Sequence, residues 1–211
     1  MNILVTGGAG FIGKYLVKSL LEKGNSVTIF DNFSNSTKES ISSLVEMGVK
    51  IIEGDITKPL EIINAVKDHE IIIHLAAKIS VSESISNPLE TYRVNVDGTR
   101  NVLAASEKNN VKKLIAASSA AVYGEGTPNV KLTEKSDTNP ISPYGESKMQ
   151  MEQEVREFAS KHDINYVILR FFNIYGIGQS LEYAGVITKF MERIAQDRPL
   201  KIFGDGLQTR D

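Results

Sequence analysis

Short runs of aliphatic and β-branched residues recur along the chain, at Ile3 to Val5, Val27 to Phe30, Val49 to Ile52, Ile71 to Leu75, Leu114 to Ala117 and Tyr166 to Leu169. Unbroken apolar runs of this length fit strands covered on both faces, as in a parallel sheet. Between them lie amphipathic stretches such as Phe11 to Lys23 and Leu89 to Lys108. The order is βαβα throughout, which predicts an α/β fold, a Rossmann-like doubly wound parallel sheet. The polar, glycine- and proline-bearing stretch from Gly124 to Pro143 reads as a long surface loop before a helix starting near Tyr144. After Arg170 the pattern loosens, with a helix expected from Gly185 to Gln196 and a short strand at Lys201 to Phe203. Residues 1–170 are therefore expected as one domain and 171–211 as the beginning of a second part.

Composition narrows the chemistry. With 41% hydrophobic and 24% charged residues in 211, the chain is that of an ordinary globular protein able to bury one substantial core. A net charge of −2 gives no broad attraction to nucleic acid or to an anionic membrane. There are no cysteines, which removes disulfides, thiolate metal sites and cysteine nucleophiles. Three scattered histidines lack metal-ligand spacing, so no metal is expected. His74 reads as a packed residue rather than a catalytic one. The start, MNILVTGGAG, is not a secretory signal, and no apolar run is long enough to span a bilayer, so the cytoplasm is the expected compartment.

The first apolar run leads straight into TGGAGFIG, in which Gly7, Gly10 and Gly13 precede an apolar helix. Such a turn lets backbone N–H groups and a helix N-terminus approach a pyrophosphate. About twenty residues on, Asp31 ends the second strand, placed to accept hydrogen bonds from the adenosine ribose and to repel the extra phosphate of NADP. The same stretch contains Gly8, Gly13 and Lys14 in a G-x-x-x-x-G-K pattern. A nucleoside-triphosphate loop needs Ser or Thr next, to hold magnesium, and this chain has Tyr15. NAD is the cofactor expected.

Tyr144 and Lys148 stand four apart in Y-G-E-S-K, on one face of the expected helix. An ammonium roughly 6 Å from a phenol, at an effective dielectric of about 20, favours the phenolate by about 3 kcal/mol. That predicts a lowered Tyr144 pKa and a tyrosine able to act as a base. The fifth strand ends in Ala117, Ser118 and Ser119, where a serine hydroxyl can hold a substrate hydroxyl beside the tyrosine.

TGGAGFIG, HLAA at His74 to Ala77, NVDGT at Asn95 to Thr99, SSAAVYG at Ser118 to Gly124, PYGESK and RFFNIYG, in this order, resemble the extended short-chain dehydrogenase/reductases, the NAD-dependent epimerase/dehydratase family. Within that family the chain resembles the 4-epimerases of UDP-glucose and UDP-galactose. The resemblance implies that Phe11 and Ile12 cover the pyrophosphate, that Asp31, Asn32, Phe33, Ser34, Asn35 and Ser36 surround the adenosine ribose, and that Asp55 and Ile56 meet adenine. It implies that Leu75, Ala76, Ala77 and Lys78 pass along the cofactor with Asn95 beneath it. Bacterial 4-epimerases carry their lysine one position later, where this chain has Ile79. Ser119, Tyr144 and Lys148 are implied as the catalytic set, with Lys148 on the nicotinamide ribose. Phe172 is implied to face the cofactor, Asn173 the substrate, and Phe203 and Arg210 the uracil and diphosphate of a UDP-hexose.

The implied reaction is 4-epimerisation of a nucleotide sugar through a transient 4-keto sugar. A 4,6-dehydratase of the same family carries Asp-Glu after the catalytic Ser or Thr, whereas Ala120 and Ala121 stand here and move no proton. A 4-reductase, a decarboxylase and a non-catalytic NAD-binding sensor are the remaining alternatives. The resemblance further implies a homodimer formed through Leu89 to Lys108 and Ser142 to His162. It also implies a longer family chain, of which these residues make about two thirds, since the family continues past Arg210 and Asp211 into its substrate-binding domain.

Overall fold

The computed structural model describes residues 1–126, 131–179, 185–202 and 204–207. It contains two compact units, 1–170 and 171–211. In the first, the strands are β1 (Asn2–Thr6), β2 (Ser26–Asp31), β3 (Lys50–Glu53), β4 (Ile71–His74), β5 (Lys113–Ser119) and β6 (Asn165–Phe171), the last residue of β6 falling in the second unit. All six apolar runs form strands; the inner four place side chains on two covered faces, while β3 and β6, at the sheet edges, stay largely exposed. Along β1, for example, Leu4 enters one hydrophobic cluster with Phe30, Ile72 and Leu114, while Ile3 and Val5 enter another with Val17, Ile29 and Ile73.

The sheet order is β3-β2-β1-β4-β5-β6, and the registers of β1 with β2 and β4, of β2 with β3 and of β4 with β5 are all parallel. The chain builds outward from β1 to β3 and then resumes on the other side of β1. The order thus reverses between β1 and β4, the switch point at whose carboxyl ends doubly wound sheets bind ligands.

Helices α1 (Phe11–Glu22), α2 (Ser42–Glu46), α3 (Pro59–Ala65), α4 (Val81–Ser86), α5 (Pro88–Tyr92), α6 (Gly98–Lys108) and α7 (Pro143–Lys161) cover the sheet. The stretch expected as one helix from Leu89 is α5 and α6 joined by a π turn, Arg93–Asp97, in which Gly98 N donates to Arg93 O, five residues back. No helix among the described residues is long and apolar enough to cross a membrane.

The second unit holds α8 (Val186–Ala195). The expected strand at Lys201–Phe203 does not form: Lys201 and Ile202 lie in no strand, and Phe203 falls outside the described residues.

The glycine turn is set by close approach. A Cβ on Gly13 would lie 2.5 Å from Gly7 O and 2.7 Å from the Gly8 backbone, none of which can move without reopening the turn. At Gly24, φ is +76° and nothing lies within 4 Å, so only the left-handed conformation opposes a side chain. Gly24→Ala is expected to cost about 1 kcal/mol, and Gly13→Ala about 3 kcal/mol or more, as overpacking against backbone does. Urea unfolding of the two variants checks the order.

Candidate active site

At the crevice, Gly7 adopts φ +69°, and a Cβ there would meet Ala76 N at 2.6 Å. The glycine loop thus lies directly on the segment leaving β4. Gly10 N donates to Gly7 O at 3.1 Å, and Gly10 starts α1 with no side-chain cap. By contrast α4, α5 and α7 are capped by the side chains of Ser80, Asn87 and Ser142. The first-turn N–H groups of α1, at half-buried Phe11 and Ile12, have no intrahelical acceptor and suit an anion. Tyr15 packs edge-on against Phe11, with ring centroids 5.8 Å apart.

Asp31 joins two loops. Its Oδ2 accepts from Ala9 N at 3.0 Å and its Oδ1 from Phe33 N at 2.9 Å, with Phe33 held at φ +55°. Burial pushes the Asp31 carboxyl up, against the pull of those two N–H groups. Asn32 Nδ2 donates to Asp55 Oδ2 at 3.2 Å, and Asn32 Oδ1 accepts from Ser34 N at 3.1 Å. Burial alone would raise Asp55. The Thr57 N–H and hydroxyl, the Asn32 amide and the Arg93 charge outweigh it and hold the carboxyl below its ordinary range. Ser34 and Asn35 are exposed and Ser36 half-buried in the same loop. Ile56 is 4% exposed and belongs to the core, and Asn101 Nδ2 donates to its carbonyl.

Leu75, Ala76, Ala77 and Lys78 run half-buried from the end of β4, with Leu75 N donating to Thr6 O and Ala76 N to Thr6 Oγ1. Asn95, expected beneath a cofactor, is 1% exposed and wholly engaged with protein. Its Oδ1 accepts from Lys78 N at 2.8 Å, and its Nδ2 donates to Lys78 O and to Ser147 Oγ, both at 2.9 Å. Two of these bonds hold the Lys78 backbone.

The catalytic candidates converge at the start of α7. Ser119 Oγ accepts from Ala121 N and so caps a short 3₁₀ turn, Ala120–Tyr123. A Cβ on Gly145 would lie 2.7 Å from Ala121 O, so the glycine lets α7 rest directly on that turn. Tyr144 N donates to Ser84 Oγ at 3.1 Å, and the Ser119 side chain is near enough to the Tyr144 phenol to favour its ionised form. Lys148, 5% exposed, donates to Ala117 O at 3.0 Å. Burial lowers its ammonium to about 8, with the Glu152 carboxylate pulling the other way.

One expectation is corrected here. The Tyr144 phenol is pushed up, not down: burial dominates, and the opposing influence is the Ser119 hydrogen bond rather than Lys148. Because the lysine is itself desolvated and turned to a carbonyl, a phenolate near neutral pH needs a further positive charge.

Neighbouring Ser118 points away from the crevice and donates to Glu152 Oε1 at 2.6 Å. His74 is packed, as expected: Thr6 Oγ1 lies 2.7 Å from its Nδ1 and Thr99 Oγ1 3.0 Å from its Nε2. Since the Thr99 hydroxyl proton goes to Asn95 O, the ring proton sits on Nε2. Tyr123 is buried, donating to Thr133 O beneath the Arg170 guanidinium. Phe172 and Asn173 are exposed in the second unit, and Phe203 and Arg210 lie outside the described residues. Among the described residues no cluster of histidine and carboxylate side chains suits a metal.

A family model described as the NAD dependent epimerase/dehydratase family matches residues 3–211. The chain is 40% identical to a putative UDP-glucose 4-epimerase from Methanocaldococcus jannaschii, over 99% of this chain and 68% of that protein. Among solved structures it is similar to a UDP-N-acetylglucosamine 4-epimerase from Methanobrevibacter ruminantium in complex with UDP-N-acetylmuramic acid, with TM-score 0.93 and 38% identity over 100% of this chain and 67% of that one. It is likewise similar to a Thermotoga maritima UDP-glucose 4-epimerase with UDP-glucose, with TM-score 0.93 and 36% identity over 100% and 68%. The chain spans about two thirds of the length of the relatives it matches.

The buried imidazole sets a pH dependence. Burial first, and the Lys148 charge second, lower His74 to about 3, against roughly 6.5 in an unfolded chain. The unfolded chain takes up a proton that the folded one refuses. Stability therefore falls as pH drops below about 6.5, by about 1.4 kcal/mol per unit, until about 3. Urea unfolding at several pH values is expected to show this slope reduced by about that amount in His74→Gln. An unchanged slope would assign the acid sensitivity to other groups.

Proposed function

The chain belongs to the NAD dependent epimerase/dehydratase family, and from that premise we propose that it is the cofactor-binding and catalytic part of a nucleotide-sugar 4-epimerase of the UDP-glucose type. The observation that carries this reading is the convergence of Ser119, Tyr144 and the buried ammonium of Lys148 where β5 ends and α7 begins. A hydroxyl, a phenol and a cation in that arrangement can move one proton to and from a sugar O4.

NAD is the family's cofactor, and the residues present fit it. Gly7, Gly10 and Gly13 with the uncapped start of α1, flanked by Phe11 and Ile12, suit the pyrophosphate. Asp31, whose oxygens keep lone pairs beyond their two backbone bonds, suits the adenosine ribose within the loop from Asn32 to Ser36. Asp55 and the backbone of Ile56 serve adenine. Leu75 to Lys78 pass along the dinucleotide, and Lys148 serves the nicotinamide ribose. When bound, NAD supplies reversible hydride acceptance at C4 and the further positive charge that the raised Tyr144 phenol requires.

Ser119 holds the sugar O4 hydroxyl, and Tyr144 takes its proton as the 4-keto sugar forms. Tyr144 returns the proton once the keto sugar presents its other face, which inverts C4. The nucleotide diphosphate anchors the substrate meanwhile, so binding energy from a non-reacting part holds the reacting part in place. Beside the sugar, Ala120 and Ala121 offer no second acid or base, so elimination of water is disfavoured. Residues 171–211 belong to the substrate-binding part, with Asn173, Phe203 and Arg210 for the sugar, uracil and diphosphate, and Phe172 toward the cofactor. The enzyme is a cytoplasmic homodimer joined through the α5–α6 helix and α7.

Tyr144→Phe is expected to keep NAD affinity, read by calorimetry, and to lower turnover by roughly 10² to 10⁴, the usual worth of a general base. With a UDP-hexose deuterated at C4, the label is expected back at C4 of the inverted product. A 4-keto-6-deoxy product would instead mark a dehydratase, and stoichiometric oxidation of added reduced cofactor a reductase.

A further inference from the structure

Tyr144, Lys148, Glu152 and Arg156 follow one another at four-residue intervals along one face of α7. The first two belong to the active site. Glu152 lies a turn below, 1% exposed, where a lone carboxylate would be expected to give up its charge. It keeps it. Burial pushes its carboxyl up, but Arg170, Ser118 and Arg156 outweigh that and hold it below its ordinary value. Oε1 accepts from Ser118 Oγ at 2.6 Å and Arg170 Nε at 2.8 Å, and Oε2 from Arg170 Nη2 at 2.7 Å and Arg156 Nη2 at 2.8 Å. These donors come from β5, β6 and α7.

The strand end gripped in this way is the one that bears the site. Ala117, whose carbonyl receives the Lys148 ammonium, precedes Ser118, and Ser119 follows it. We propose that Glu152 is a positioning residue for the catalytic set, its carboxylate serving as the counter-charge of the Lys148 ammonium and, through Ser118, fixing the strand end that carries Ala117 and Ser119. This rests on the reading of Lys148 as a catalytic residue.

The groups around Lys148 make the sign plain. Tyr144 is neutral and raised, His74 on β4 is neutral, and Ala117 of β5 offers only a carbonyl dipole. Arg170 of β6 and Arg156 of α7 bring positive charge to the same carboxylate. With Glu152 neutral, Lys148, Arg156 and Arg170 would share this region with no anion among them, and Lys148, the only one able to shed its proton near neutral pH, would do so.

A purely structural pin between β5, β6 and α7 would lower stability when cut but leave the protonation of Lys148 where it was. Lysine ¹³Cε and ¹⁵Nζ labelling of the protein, with the Lys148 signal assigned by its loss in Lys148→Arg, separates the two roles. The wild-type midpoint is expected at about 8. Glu152→Gln, which keeps shape and loses charge, is expected to weaken proton binding at Lys148 at least about tenfold, and Glu152→Asp to restore most of it. A folded Glu152→Gln protein with an unmoved Lys148 midpoint overturns the proposal. If Glu152→Gln does not fold, the wild type decides by carboxyl ¹³C titration: Glu152 is expected to stay ionised from pH ~5 to ~9, and protonation within that range overturns the counter-charge. The readout is independent of turnover, so failure of the counter-charge and failure of the epimerase reading are told apart.

Discussion

Burying an ammonium costs several kcal/mol unless hydrogen bonds and an opposite charge replace its water, and at Lys148 both replacements come from fixed elements. The carbonyl is Ala117's, on the last turnless stretch of β5, and the carboxylate is Glu152's, one helical turn below on α7. For the carbonyl to be in reach, α7 must lie close over the end of β5. Gly145, with no side chain to hold the helix off Ala121, permits that approach, and Ser142 and Ser84 fix the first turn through Gly145 N and Tyr144 N. Tyr144 then meets Ser119 as a consequence of packing that accommodates the lysine.

The cofactor side and the catalytic side of the crevice share one directed chain of hydrogen bonds. Ala76 N donates to the Thr6 hydroxyl, which donates to His74 Nδ1; His74 Nε2 donates to Thr99, and Thr99 to Asn95 O. Asn95 Nδ2 continues to Ser147 Oγ, which donates to Tyr144 O. Each hydroxyl accepts one bond and gives one, so the direction is fixed throughout, and a neutral His74 is required by both neighbours. Such a network, buried and fully satisfied, ties the position of Tyr144 to that of the loop following β1.

What could be read from the chain beforehand follows from how local each signal is. The inner four strands were legible because burial on both faces leaves continuous apolar runs, the edge strands β3 and β6 only because their residues are β-branched and apolar despite their exposure, and the glycine turn because its close approaches forbid any side chain. The pairing of Tyr144 with Lys148 on one helical face was legible from spacing, whereas the strand end offered Ser118 and Ser119 alike and only the family resemblance favoured Ser119. The four-residue ladder through Glu152 and Arg156 was also present in the sequence, but its meaning depends on Arg170, which arrives from another strand. Ser84, Ser147 and Thr99 gave no warning, since a serine or threonine acquires a role only when folding brings a distant donor or acceptor to it. The raised Tyr144 phenol was missed because spacing gives a neighbour's charge and not the depth of burial, which here is the larger influence. Helices α2, α3 and α4, of five to seven residues, are too short to display a period.

The π turn at Arg93–Asp97 gives the helix from Pro88 to Lys108 one residue more than regular winding would need. Deleting a single residue there would return a straight α-helix with an uninterrupted hydrogen-bond ladder, which in isolation is the better helix. It would also rotate everything downstream by about 100°, swinging Val102 and Leu103 out of the core and Thr99 away from His74. The locally poorer winding is thus enforced from a distance, by side chains that tolerate only one phase of the helix. Lengthening or shortening this segment by one residue is a frameshift in three dimensions, although the reading of the chain on either side is unaltered.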